Sequence, residues 1–370
     1  MESSAAKGFV AVSRGKIMSI RTFSIACLFA SLLLSIPSVA SSDCDADGDV
    51  SYVCGPENAE DLVHLKGTPW LIGSGEQLHL INTQTKSWQP LPVSYPNAAE
   101  PIAAPFASCP SVLTDEKRYH HGITVRFHSD RAHELFVVNH DGRESVEVFD
   151  LDLDGSTPSA RWKGCIALGD QYFGNAVAVL PEGGLAISVS FDKTMPDLFP
   201  RMIAGEITGF VFEWHPEAGL RVIPGSRLPS NNGVAVSNDG QYVYMNSSSK
   251  GEITRISRNT PESAKSTALT SKLPVGLADN VHWSPDGTLL VAGHVGGIPV
   301  SAACTQSPDT VCAMHSRVLE IAPDNLAILR TIEWPGTDKF GAVTSATKVG
   351  DTLWFGTLRG NRVAYMKDSE

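Results

Sequence analysis

The sequence predicts an all-β chain, a six-bladed β-propeller with a central metal-binding tunnel, and three observations carry that prediction. Apolar residues rarely recur at the 3.6-residue spacing of a helix, while 32 Gly and 23 Pro punctuate the 370 residues. A turn rich in Gly, Asp or Asn followed by a short apolar strand recurs six times. A polar residue stands a few positions upstream of each of those turns.

The N-terminus reads as a leader. Lys7, Arg14, Lys16 and Arg21 precede an apolar run of 14 residues, Phe23 to Ile36, and Ser38-Val39-Ala40 has the small-residue form of a signal-peptidase site. A membrane span needs about 20 apolar residues, so residues 1–40 are expected to be removed and residues 41–370 to form one domain. Met18 is an alternative start with the same cleavage site. The expected product is exported, periplasmic or secreted, with no stable insertion in the membrane.

After Ala40 the chain carries 25 Lys and Arg against 39 Asp and Glu, a net charge of −14. That balance lacks the basic footprint of a nucleic-acid binder and suits cation binding. Six cysteines remain: Cys44, Cys54, Cys109, Cys165, Cys304 and Cys312. An even count in an exported chain points to disulfides. Of the 15 connectivities open to six cysteines, the short spacings favour Cys44–Cys54 and Cys304–Cys312, which leaves Cys109 with Cys165.

The repeat runs as follows. Lys66-Gly67 leads into Pro69–Ile72, Ser129-Asp130 into Glu134–Val138, and Glu182-Gly183-Gly184 into Leu185–Ile187. Asp239-Gly240 then leads into Tyr242–Tyr244, Asp286-Gly287 into Leu289–Val291, and Gly350-Asp351 into Leu353–Phe355. Spacings of about 45 to 65 residues fit four-stranded blades with variable loops. A single blade cannot bury both faces of its sheet, so the blades must stack radially and the ring must close. Trp283, Trp334 and Trp354 are expected to pack between blades.

The recurring polar positions are Glu60-Asp61, His121, Asn175, Asn232, Asp279-Asn280 and Thr344-Ser345. Equivalent positions in successive blades lie on a ring about the central axis. Glu60, Asn175, Asn232, Asp279 and Asn280 would therefore converge as an oxygen-only cluster with two formal negative charges. Hard cations take such ligands; Ca²⁺ accepts about six to eight oxygens, amide carbonyls included, whereas zinc would call for His or Cys. No rival machinery occurs, since the sequence has no Gly-x-Ser-x-Gly elbow, no phosphate-binding Gly-x-x-x-x-Gly-Lys and no His-Glu-x-x-His.

At these residues the chain resembles the paraoxonase/arylesterase family, within the wider senescence-marker protein/gluconolactonase group of six-bladed propellers. The segments that carry the likeness are Glu60-Asp61-Leu62, His121-Gly122-Ile123, Val137-Val138-Asn139-His140, Val146–Phe149, Asn232-Gly233-Val234, Ser237–Tyr244 and Asp279-Asn280-Val281. The resemblance implies a Ca²⁺-dependent hydrolase of lactones or aryl esters. Glu60, Asn175, Asn232, Asp279 and Asn280 would hold a catalytic calcium, His121 would be the base with His140 as its partner, and His294 would line the substrate pocket. It further implies a structural calcium on Asp61 and the backbone carbonyl of Ile123. Ala176 stands where the family commonly has Asp, so that second site lacks a carboxylate. The family's terminal blade-linking disulfide has no counterpart either, because no cysteine follows Cys312. Two other functions share the fold. One is a metal-free, strictosidine-synthase-like condensing enzyme, which has no need of Glu60, Asp279 and Asn280, and the other is a calcium-stabilised propeller that binds a partner without catalysis.

Overall fold

The computed structural model describes residues 44–97, 100–113, 119–129, 132–259, 268–307 and 309–369, within a compact unit spanning Ser41–Glu370. The expected leader, residues 1–40, lies outside the described residues. Six sheets account for all the named strands. Blade 1 comprises Leu62–His64, Trp70–Gly73, His79–Asn82 and Ser87–Pro90. Blade 2 comprises His120–Arg126, His133–Asn139, Ser145–Asp152 and Ser159–Ala167, with Val93–Ser94 added in parallel at its outer edge. Blade 3 is Tyr172–Val179, Leu185–Asp192, Phe210–His215 and Gly219–Val222, and blade 4 is Asn231–Val236, Tyr242–Ser247, Glu252–Ser257 and Leu269–Lys272. Blade 5 is Leu277–Trp283, Leu289–His294, Ser316–Ile321 and Ile328–Trp334. Blade 6 takes Val343–Val349, Thr352–Thr357 and Arg362–Lys367 from the C-terminus and its outer strand, Ser51–Cys54, from the N-terminal side.

That shared blade closes the ring. Ser51–Cys54 pairs antiparallel with Arg362–Lys367, and just beyond the strands Gly55 N–H donates to Asn361 O at 2.7 Å and Asn58 N–H to Gly360 O at 2.7 Å. Hydrogen bonds and packing thus join the two ends of the fold. The first strands of the six blades touch one another in a complete cycle, blade 6 returning to blade 1, so they form the wall of the hub.

The core explains why the second strands read as unbroken apolar runs. Successive side chains on a strand point to opposite faces, and here both faces meet a neighbouring blade. In blade 2, Leu135 and Val137 pack against blade 1, while Phe136 and Val138 pack against blade 3. In blade 5, Leu289 and Val291 face blade 4, while Leu290 and Ala292 face blade 6. Six apolar clusters fill the six gaps between blades. Trp283, Trp334 and Trp354 lie in these interfaces, as expected from the sequence.

All three expected disulfides form: Cys44–Cys54, Cys109–Cys165 and Cys304–Cys312. They are consistent with an extracytoplasmic protein. No helix among the described residues is long and apolar enough to cross a membrane. Two short helices, α1 (Leu198–Ala204) and α2 (Gly297–Gln306), follow the second strands of blades 3 and 5 and touch each other. The sparse helical periodicity did not reveal them, since neither carries an amphipathic stripe and α1 buries no residue. Phe199, Ile203 and Val300 on these helices are exposed.

Closure by an edge strand gives a direct test. Val53 is buried between blades 6 and 1, whereas Leu329 on the outer strand of blade 5 is exposed. Val53→Asp should cost at least about 3 kcal/mol of unfolding free energy in urea titrations, because it places a charge in that interface. Leu329→Asp should stay within about 0.5 kcal/mol of the parent.

Candidate metal centre and histidine pair

The candidate residues share one backbone feature. In blades 2 to 5 the ladder between first and second strands skips two residues: His121-Gly122, Asn175-Ala176, Asn232-Gly233 and Asp279-Asn280. In blade 6 it skips Thr344, and in blade 1 Glu60-Asp61 immediately precede the first strand. An irregularity of this kind bends the strand and re-aims side chains that regular pleating would send into the gaps between blades. Two glycines make it possible to crowd five such kinks around one axis. A Cβ on Gly122 would lie 2.6 Å from Asn175 O, and one on Gly233 would lie 2.6 Å from Asp279 O.

Side chains far apart in sequence meet at this level. Asn280 Nδ2 donates to Glu60 Oε1 at 2.7 Å, and His121 Nε2 lies 3.5 Å from the same oxygen. Asn232 hydrogen-bonds Asp279, whose Oδ2 is 3.6 Å from His294 Nε2. Asn175 makes no such side-chain contact with the others; it adjoins them through its backbone against Gly122. Thr344 Oγ1 donates to the Glu60 carbonyl at 2.5 Å, and Asn246 Nδ2 donates to the Asp279 carbonyl. Asn246 opens an Asn-x-Ser glycosylation triplet in the sequence, yet it is fully buried and serves to hold Asp279 in place.

Four buried oxygens here have no hydrogen-bond donor: Glu60 Oε2, Asn175 Oδ1, Asn232 Oδ1 and Asn280 Oδ1. Leaving a buried acceptor unsatisfied costs about 1–3 kcal/mol, so four from four blades form an arrangement short of positive charge. Burial, reinforced by the charges of Asp279 and Asp61, raises the Glu60 carboxyl well above its usual range. Burial likewise pushes Asp279 up to about 8; Asn232's hydrogen bond opposes the shift and the Asp61 charge adds to it. No group of three or more His, Cys, Asp or Glu is arranged for a metal among the described residues. The donor set is amide and carboxylate oxygen, which fits a hard cation.

The second cation site does not fit. Asp61 Oδ2 accepts from Ile123 N–H at 2.9 Å, so it is the amide and not the carbonyl of Ile123 that meets it. Asp61 Oδ1 accepts from Leu62 N–H at 2.8 Å and lies 2.6 Å from His282 Nε2. Ala176 supplies no oxygen from its side chain, as its identity requires. Sequence reasoning missed His282, which faces a cavity of about 820 Å³ lined by residues of all six blades. Burial disfavours a charged His282, but the charge and hydrogen bond of Asp61 outweigh it and raise its pKa. The carboxylate is thus satisfied by protein donors from three blades.

The histidines form a chain leading away from Glu60. His121 Nδ1 is 3.0 Å from His140 Nε2, and His140 Nδ1 is 2.9 Å from Glu144 Oε2. Lys193 Nζ donates to Glu144 Oε1 at 2.6 Å. His140 follows the second strand of blade 2, and Asn139 Nδ2 pins the turn after it by donating to the carbonyls of Asp141 and Arg143. That turn folds Glu144 back onto His140. The His-x-x-x-Glu spacing was visible in the sequence, but only the turn makes it a contact. Phe173 stacks on His140 with ring centroids 4.0 Å apart. Burial lowers His121 well below the usual histidine range, and protonation of the neighbouring His140 lowers it further. Burial also lowers His294 to about 4.

No family model and no curated protein matches the sequence. Solved structures do match. A luciferin-regenerating enzyme superposes with a TM-score of 0.52 at 15% identity, over 85% of this chain and 94% of that one. A candidate gluconolactonase superposes with a TM-score of 0.53 at 14% identity, over 88% of this chain and 94% of that one. The chain shares their six-bladed propeller fold. At such identities the likeness speaks for architecture, and the chemistry rests on the residues.

The raised carboxyls make a pH prediction. Asp279 binds its proton more tightly in the folded chain than in the unfolded one, so between its ordinary value of 3.8 and about 8 the folded state holds more protons. Stability must then fall as pH rises. In chelator the melting temperature should drop from pH 5 to pH 8, and added calcium should restore it most at pH 8.

Proposed function

We propose that this protein is a calcium-dependent hydrolase of small-molecule lactones or aryl esters, exported to an oxidising compartment. The observation that carries the reading is the set of four donorless buried oxygens contributed by four blades at the level of the ladder irregularities, with a buried histidine 3.5 Å from the Glu60 carboxyl. Glu60, Asn175, Asn232, Asp279 and Asn280 are the residues that would hold the cation. When bound, calcium supplies a Lewis acid for an ester carbonyl and for the oxyanion that develops on it. His121 takes the proton of the attacking water at Nε2; the lowered affinity of the ring for protons keeps it in the basic form near neutral pH. His140 holds the other nitrogen, Nδ1, of that imidazole. His294, buried beside Asp279, borders the position of the substrate.

The lactonase reading is in keeping with the gluconolactonase among the structural neighbours and with the resemblance to the paraoxonase/arylesterase family. A metal-free condensing enzyme would leave the oxygen cluster without a purpose. A non-catalytic, calcium-stabilised module would leave the histidine pair without one.

A panel of lactones and aryl esters tests the proposal. Hydrolysis should be lost in chelator and recovered with calcium. Asn232→Ala and Asp279→Ala should each abolish it and weaken calcium binding. His121→Gln should reduce kcat by about 100-fold or more with calcium affinity little changed. Chelator-insensitive turnover, or full activity in both metal-site variants, would overturn the metal mechanism.

A further inference from the structure

The histidine pair is anchored by groups that the proposed hydrolysis does not itself require. We propose that Glu144, held by Lys193, is a positioning residue of the site: its carboxylate sets the tautomers of His140 and His121 so that a lone pair faces Glu60 and the hub. This inference rests on the hydrolase reading and deepens it.

Phe173 stacks on His140 and Tyr119 leans against it, with centroids 4.0 Å and 5.4 Å away. Aromatic contacts of this kind fix the plane of an imidazole, but they do not distinguish its nitrogens from its carbons, so the flipped ring would fit as well. A hydrogen-bond partner must choose. Glu144 is buried, and a carboxylate only accepts, so the nitrogen 2.9 Å from it, His140 Nδ1, must carry the proton. In the neutral ring His140 Nε2 is then an acceptor. His121 Nδ1, 3.0 Å away, must donate to it. His121 Nε2 is left as the lone pair, on the side of Glu60 Oε1. The tautomer of the base is thereby set two hydrogen bonds away, by Glu144.

Glu144 is itself held from two further directions. Lys193 Nζ donates to Oε1 at 2.6 Å, and Gly174 N–H donates to Oε2 at 3.4 Å. Gly174 directly precedes Asn175, so the same carboxylate ties the histidine chain to the irregularity that presents a cluster oxygen. Lys193 is partly exposed, which keeps its charge solvated and spares the site a buried cation. The arrangement also gives the proton a destination. When His121 takes a proton from water at Nε2, its Nδ1 proton can pass to His140 Nε2. The positive charge then rests on His140 beside the Glu144 carboxylate, away from the cluster, and the hydroxide attacks the carbonyl.

The test uses the full protein labelled with ¹⁵N-histidine, long-range ¹H–¹⁵N correlation spectra, and kinetics on the best lactone of the panel. In the parent, both His121 and His140 should show the Nδ1–H tautomer. Glu144→Ala should convert His140 to a mixture of tautomers and lower kcat at least about 10-fold, with KM changed less than about threefold. Glu144→Gln retains an oxygen that can accept from Nδ1–H, so it should restore part of both; it also serves if the alanine variant fails to fold. Lys193→Met should lower kcat by a smaller factor. Unaltered tautomers, or unaltered kcat, in folded Glu144→Ala would overturn the proposal. A parent protein with no turnover on any substrate would instead overturn the hydrolase reading, and the tautomer spectra would still decide whether Glu144 sets the pair.

Discussion

The structure depends on the interruption of one hydrogen-bond ladder at one height in blade after blade. Regular first strands would send every side chain into the gaps between blades, and the hub would be lined by backbone alone. Skipped residues at His121-Gly122, Asn175-Ala176, Asn232-Gly233 and Asp279-Asn280 re-aim polar groups at that level without disturbing the apolar runs beyond it. The two glycines that follow His121 and Asn232 let neighbouring backbones approach closely enough for the kinks to share the hub. Closure then matters for chemistry as well as stability. Glu60 and Asn280, 220 residues apart, meet only because blade 6 returns to blade 1.

Two buried carboxylates, adjacent in sequence, are treated in opposite ways. Asp61 is saturated by the amides of Leu62 and Ile123 and by His282. Glu60 receives one amide donor and retains an oxygen with none, and the amide oxygens of Asn175, Asn232 and Asn280 at the irregularities of blades 3, 4 and 5 are in the same condition. An uncompensated cluster of acceptors is expensive in a low-dielectric interior. Such a cluster persists in a fold when something positive completes it. His282 gives Asp61 the positive partner that the donorless oxygens lack, and this is why the calcium proposal expects one metal centre rather than two.

The sequence disclosed the fold because its repeat is a consequence of blade stacking. Leu-Phe-Val-Val in blade 2 and Leu-Leu-Val-Ala in blade 5 are apolar on both faces because both faces have a neighbour. The cluster residues were legible for the same reason: position within a blade translates into position on a ring. Residues reached by a turn or across blades were not legible. Glu144 becomes a partner of His140 only through the hairpin that Asn139 pins, and Lys193 reaches it from blade 3. His282 looked like any strand residue until closure set it against Asp61. Nor does any pattern encode that the Ile123 amide is the group that meets the Asp61 carboxylate. The helices α1 and α2 escaped because short surface helices need no periodicity.

The central claim is that the hub completes itself with a single divalent cation. Calorimetric titration of chelator-stripped protein with calcium at pH 7 addresses it directly, with the buffer varied to count protons. The account predicts one calcium per chain, taken up with release of protons, since Asp279 must give up a proton held with a pKa of about 8. Absence of binding, or uptake with no proton release, would contradict it.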